Sequence, residues 1–555
     1  MAVLAGLATV HAASREPVRA RHAMVASADA HASKVGVDIL RAGGNAVDAA
    51  VAVGFALAVT YPSAGNIGGG GFMVIRLADG RETTIDYRET APSAAHRDMF
   101  LDAAGSPVSE RSIVGPLAAG VPGSVAGLTL AQRKYGRLPL ATVVAPAIRL
   151  ARDGFEISWH MAAMLASGQP LLSRFPSTAR AFLRPDGTPP AAGERLVQPD
   201  LAATLQDIAE HGPDAFYRGR IAGLLAAEMS RTGGLITTAD LARYAAIERP
   251  PLTGTYRGHR IVSIAPPSSG GVALLQLLNL LEAYPLAEYG LNSSRTMHLM
   301  IEAERRVYAD RSEWLGDPAF VRVPIAGLIS KSYATWLRAG IDETRATPSS
   351  AVAPGRPHDF ESSQTTHYSV VDAEGNAVST TTTLNGGYGN GQVVTGAGFL
   401  LNNEMDDFSA KPGAPNMFGL RGGDANAVAP GKRMLSSMTP TIVVRDGRTW
   451  LVVGSPGGGR IITTVLQVLV NVIDHRLDVQ QAVDVPRFHH QWQPEDVRVE
   501  PVGFPADVVH ALEAMGHAMR VDSDMGGVNA IAIDPSTGLR LGASDPREDG
   551  AALGY

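Results

Sequence analysis

The sequence predicts an α+β fold in which β-sheets lie beneath helical layers. Three observations carry this: strand pairs joined by glycine turns recur in the C-terminal part, helical patterns precede and follow them, and no internal repeat is visible. In chain order, residues 28–60 read as two helices, the first ending at Gly43-Gly44 and the second capped by Asn45. The glycine run 68–71 leads into strands at 72–77 and 83–88, joined by the turn Asp79-Gly80. Helical patterning dominates from about 123 to 340, for instance at 273–283 and 296–310, with one strand-like interruption at 260–264. From 365 onward strands are expected at 366–371, 377–383, 441–444 and 450–454. Their turns, Glu374-Gly375-Asn376 and Arg445-Asp446-Gly447, hold a glycine that supplies a positive φ. A helix at 461–474 and a late strand at 529–533 follow.

At 555 residues the chain can bury a large core, and its composition (hydrophobic 45%, charged 18%) is that of a globular protein. Net charge is −6 with both signs interleaved, so the basic stripe of a nucleic-acid binder is missing. Cys 0 excludes disulfides, thiolate nucleophiles and Cys-ligated zinc. His489-His490 lacks zinc spacing. The glycines at 68–71 and 386–391 complete neither a dinucleotide fingerprint nor a Walker loop, and Gly431-Lys432 is followed by Arg433 where a P-loop needs Ser or Thr. No metal or cofactor is expected. Residues 1–13 are signal-like, an apolar run with Val10-His11-Ala12 near its end but no basic leader, which favours a periplasmic or secreted protein over the alternative, a cytoplasmic one with an apolar N-terminus. The run 46–61 contains Asp48 and falls short of the ~20 residues of a spanning helix, so no membrane span is expected.

The segment Gln364-Thr365-Thr366-His367-Tyr368 sits where a Pro- and Ser-bearing stretch, about 341–364, meets an apolar, β-branched run. Such a Thr suits a precursor that cuts itself, because a freed N-terminal Thr carries both a nucleophilic hydroxyl and, on its own backbone, an amine base. The amine's reference pKa of about 7.7–8.0 leaves much of it neutral near physiological pH. Taken alone, the same residues read more readily as a linker entering a strand that begins with Thr.

Further clusters narrow this choice: Tyr87-Arg88-Glu89-Thr90-Ala91-Pro92, Thr383-Leu384-Asn385, Asn402 to Phe408, Leu435-Ser436-Ser437-Met438 and Gly454-Ser455-Pro456-Gly457-Gly458. In this order and spacing they resemble the γ-glutamyltransferase family of bacterial type, over nearly the whole chain from Arg41-Ala42-Gly43-Gly44-Asn45 to Gly542-Ala543-Ser544-Asp545-Pro546-Arg547. The resemblance implies an N-terminal-nucleophile hydrolase fold, an αββα sandwich of two stacked sheets between helical layers. It also implies cleavage between Gln364 and Thr365 into a large subunit (14–364) and a small catalytic subunit (365–555) that stay together as a heterodimer.

The resemblance assigns roles as well. Thr365 is the nucleophile, Thr383 orients it, and Gly457 and Gly458 present N–H groups to the oxyanion. Arg88, with Ser436 and Ser437, holds the α-carboxylate of a γ-glutamyl donor, while Asn385, Glu404 and Asp407 hold its α-ammonium. The stretch 411–419 is similar to the lid of bacterial members, with Phe418 where a Tyr is common; its ring covers the pocket but cannot hydrogen-bond Asn385. The expected partners are glutathione-like donors and water or amino acid and peptide acceptors. Alternatives on the same scaffold are a glutaryl or cephalosporin acylase, a poly-γ-glutamate depolymerase and a non-catalytic γ-glutamyl-binding homologue. Ser268-Ser269-Gly270-Gly271, Asp310 and Trp314 match the family too and are read as structural.

Overall fold

A computed structural model describes residues 14–360 and 370–555. Two antiparallel sheets face each other at its centre. The larger has seven strands in the order Val18–Ala20, Arg540–Ser544, Asn529–Ile533, Arg448–Gly454, Thr441–Arg445, His259–Ser263 and Leu252–Tyr256. The smaller has four, ordered Ala377–Thr383, Gly70–Arg76, Glu82–Asp86 and Ile247–Arg249. Strands Ala377–Thr383 and Arg448–Gly454 meet across the interface between the sheets.

Helices close both outer faces. Ala46–Thr60 packs on Ala377–Thr383, and Ser124–Tyr135 on Gly70–Arg76. On the other side Gly270–Leu281 lies over Leu252–Tyr256 and Arg460–Ile473 over Arg448–Gly454. The result is the αββα sandwich. Ala46–Thr60 is apolar all round, and every residue but Leu57 is buried, as expected of a helix inside a core. Its start is fixed by a capping box in which the Asn45 side chain accepts from the N–H groups of Val47 and Asp48, and Asp48 reaches back to the Asn45 N–H. Among the described residues no helix is long and apolar enough to cross a membrane.

The expected 441–454 hairpin forms, with Arg445 opposite Arg448. Asp446 and Gly447 both take positive φ (51° and 73°), the two-residue loop whose twist matches that of the strands. The expected single interruption at 260–264 needs correction. Three strands lie there, Ile247–Arg249, Leu252–Tyr256 and His259–Ser263. Pro250-Pro251 and Gly254 masked the first two, and both lie at sheet edges, where such residues are tolerated. Of the expected strand 366–371, residues 366–369 lie outside the described residues. Val371 makes single bridges to Met24 and Ala377. The signal-like stretch 1–13 is also outside them.

Candidate active site

Four backbone segments converge at one end of the interface between the sheets. Strand Ala377–Thr383 delivers Thr383, whose Oγ1 accepts from the Asn385 N–H at 2.7 Å. Asn385 has φ 75°, a left-handed conformation Asn tolerates better than most residues, and its side-chain amide donates to Asn403 O at 3.1 Å and Met417 Sδ at 3.7 Å. Arg88 lies two residues beyond strand Glu82–Asp86. Glu404–Asp407 form a single 3-10 turn. Two asparagines hold that turn in place: Asn402 Oδ1 accepts from the N–H of Glu404 (3.1 Å) and of Gly120 (2.8 Å), and Asn403 Oδ1 from Gly386 N–H (2.8 Å). Gly457 and Gly458, both at positive φ (133° and 56°), link strand Arg448–Gly454 to helix Arg460–Ile473.

These segments enclose a cavity of about 260 Å³. Arg88, Glu404 and Asp407 line it with Ser436 and Ser437, and so do Thr383, Asn385, Gly457, Gly458 and Phe418. Gln364 and Thr365 lie outside the described residues. Val370, five residues after Thr365, lines an adjoining cavity of about 130 Å³ that shares Tyr61, Thr381, Thr382 and Pro456 with the first.

The charges are buried and unbalanced. Arg88 is fully buried; its Nη2 donates to Asp407 Oδ2 at 2.6 Å, its Nη1 pairs with Glu404, and Glu89 Oε2 lies 3.6 Å away. Burial alone disfavours the Arg88 cation, but Glu404, Glu89 and Asp407 outweigh it and raise its pKa above the ordinary value. Burial also raises the pKa of all three carboxyl groups, repulsion from neighbouring carboxylates adds to this for Glu89 and Glu404, and Arg88 opposes it in each. Glu89, with neither side-chain oxygen hydrogen-bonded, is pushed up to about 7. With Arg88 held between carboxylates, an incoming anion needs further donors, and the Ser436 and Ser437 hydroxyls line the same cavity as Arg88.

Glu89 yields a test. Its folded pKa exceeds the unfolded value, so its contribution to stability is full below about pH 4.5 and is lost as pH rises through about 7. Glu89→Gln is expected to match the parent in Tm near pH 4.5 and to exceed it at pH 8 by roughly 2–4 °C. A gap independent of pH in thermal melts would contradict this.

Among the described residues, the N–H groups of Gly457 and Gly458 donate to no protein acceptor. They stand at the N-terminus of the 14-residue helix Arg460–Ile473, where the dipole favours negative charge. A Cβ on Gly458 would come within 2.7 Å of the Phe418 ring. Gly458→Ala is therefore expected to strain the turn, displace Phe418 and cut kcat by about 10² in a chromogenic assay. An unchanged kcat would separate this turn from the chemistry.

The stretch 411–419 is tied to the acidic turn Glu404–Asp407. Asn416 Nδ2 donates to Asp407 Oδ1 at 3.0 Å, and the Met417 N–H donates to Asp406 Oδ2 at 2.8 Å. The Asn385 amide donates to the Met417 sulfur of this stretch. Sequence reasoning missed Tyr61 and Met164 on the cavity wall, which carried no motif, and gave Met438, the last residue of the 435–438 cluster, no place in the site. It also missed Tyr308, whose hydroxyl donates to Gly459 O from within a helix. Among the described residues no group of three or more His, Asp or Glu could hold a metal ion.

Comparison with known proteins places this geometry in a family. The Gamma-glutamyltranspeptidase family profile matches residues 32–555. A glutathione hydrolase proenzyme of Escherichia coli K12 is 55% identical over 541 residues, covering 97% of this chain and 93% of its own. One from Pseudomonas sp. A14 is 48% identical, covering 100% and 98%. The solved structure of a cephalosporin acylase from Bacillus halodurans, 29% identical, has a TM-score of 0.87 and covers 100% of this chain and 99% of its own. The chain, matched by the family profile from residue 32 to its last residue, belongs to the γ-glutamyltranspeptidase family.

Proposed function

We propose that this protein is a self-processing γ-glutamyltransferase acting on glutathione and related γ-glutamyl compounds. In the precursor the Thr365 hydroxyl attacks the Gln364 carbonyl, the amide nitrogen leaves with the hydroxyl's proton as a free α-amine, and an ester remains. Water hydrolyses that ester, releasing Gln364 as a carboxylate and Thr365 as an N-terminus. The Thr365 amine then serves as base while its hydroxyl attacks the γ-amide of the donor. The acyl-enzyme is resolved by water or by the amine of an amino acid or peptide. Large and small chains (14–364 and 365–555) remain together as a heterodimer, in a periplasmic or secreted setting.

One observation carries the donor assignment. A fully buried arginine between two carboxylates, with two serine hydroxyls beside it, shares a single 260 Å³ cavity with two free glycine N–H groups. A γ-glutamyl end has matching features: a carboxylate for Arg88, Ser436 and Ser437, and an ammonium for Glu404, Asp407 and Asn385. Each such charge-assisted bond is worth roughly 1.5–3 kcal/mol. Its γ-carbonyl would lie towards Gly457 and Gly458, where an oxyanion gains the two N–H bonds.

The likeness to a cephalosporin acylase favours a second reading, an acylase that takes glutaryl side chains. Glutaryl lacks the ammonium, so it leaves Glu404 and Asp407 unused. Turnover of γ-glutamyl-, glutaryl- and α-glutamyl-anilides tests the choice. The γ-glutamyl compound is expected to be fastest; faster glutaryl turnover would transfer the protein to the acylase reading.

A further inference from the structure

Arg311, on helix Ser294–Trp314, is 5% exposed and pairs with no carboxylate among the described residues. Instead its Nη2 donates to Ser437 Oγ at 2.8 Å and its Nε to Ser269 Oγ at 2.9 Å. A guanidinium only donates, so both serine oxygens are acceptors towards it and their own hydrogens must point elsewhere. Ser269 gives its hydrogen to Ser436 O at 2.6 Å, the same carbonyl that accepts the Ser269 N–H at 2.7 Å. That locks the backbone of the serine pair to the Ser269 turn. Ser436 Oγ accepts the Met438 N–H at 3.1 Å. Neither Ser436 nor Ser437 gives its hydroxyl hydrogen to any other described residue, and both line the 260 Å³ cavity.

We propose that Arg311 is a positioning residue for anion recognition: by loading Ser437 from behind and anchoring Ser269, it fixes the serine pair as donors facing the carboxylate of the donor substrate. This rests on the γ-glutamyl reading above. It also explains how a cavity with Arg88 already engaged by Glu404 and Asp407 still takes an anion. Two oriented hydroxyls meet the carboxylate, and a second cation behind them offsets the surplus of negative charge. A lysine could supply the charge but not the two-pronged contact with Ser437 and Ser269.

The test compares Arg311→Met, Arg311→Lys and Ser269→Ala with the parent protein on three anilides. γ-Glutamyl-anilide carries both carboxylate and ammonium, glutaryl-anilide only the carboxylate, and 4-aminobutyryl-anilide only the ammonium. Arg311→Met is expected to raise KM for γ-glutamyl-anilide by about 10–100-fold with kcat nearly unchanged, the signature of lost uniform binding. Its kcat/KM for glutaryl-anilide should fall by a similar factor, and that for 4-aminobutyryl-anilide by less than about threefold. Arg311→Lys should recover part of the loss. Ser269→Ala, which keeps the cation in place, should show the same pattern more weakly and decides the matter if Arg311→Met does not fold. Equal losses on all three compounds, or a loss confined to kcat, would overturn the positioning role. A parent protein that turns over none of them would instead overturn the γ-glutamyl reading itself.

Discussion

Thr365→Ala is expected to leave the chain as one band on a denaturing gel and to abolish turnover of γ-glutamyl-anilide. On the proposed mechanism one hydroxyl serves both steps, first against the Gln364 carbonyl and then against the donor amide, so its removal stops processing and catalysis together. Loss of a nucleophile from an acyl-transfer site costs on the order of 10⁴ or more in kcat, because only substrate binding and the oxyanion donors remain to assist attack by water. Thr365→Ser separates the two consequences. It keeps the hydroxyl and the amine and is expected to be cut and active, more slowly. Two normally processed chains in Thr365→Ala would place the nucleophile elsewhere.

Arg88→Ala has the next largest expected effect, on binding rather than on processing. Arg88 is the only cation paired with Glu404 and Asp407 among the described residues, and it also donates to Met434 O at 3.2 Å. Removing one partner of a buried ion pair costs about 3–5 kcal/mol, because the carboxylates left behind are uncompensated. They would respond by taking up protons, since burial already raises their pKa. A protonated cluster holds an ammonium weakly, and the donor's own carboxylate loses its fork. KM for γ-glutamyl-anilide is therefore expected to rise by at least 10², with cleavage into two chains preserved. An unchanged KM in initial-rate measurements would remove Arg88 from the donor site.

The sequence made the helical and hairpin signals legible wherever one short segment carries the whole pattern. The Asn45 cap, the Asp446-Gly447 turn and the apolar run of Ala46–Thr60 are of this kind. It concealed pairings between distant ends of the chain. Val18–Ala20 joins Arg540–Ser544, and Met24–Ser27 joins Ala551–Gly554, although no local periodicity marks three- or four-residue strands. For the site, residue type and order pointed to Arg88, Glu404, Asp407 and the serine pair through resemblance. Composition gave no sign that they would be buried: Arg88-Glu89 and Glu404 to Asp407 look like solvated charge, yet Arg88, Glu89 and Glu404 are fully buried. Arg311 stayed hidden for a related reason. It lies in a helix rich in charged residues, Ser294–Trp314, and only the fold reveals that its side chain ends on Ser437 and Ser269.

The most direct test of the central claim is the intact mass of the purified wild-type protein, taken alongside its γ-glutamyl-anilide activity. Two chains in equal amounts, the smaller beginning at Thr365, are the expected result. A single uncut polypeptide that hydrolyses the anilide at full rate would contradict it.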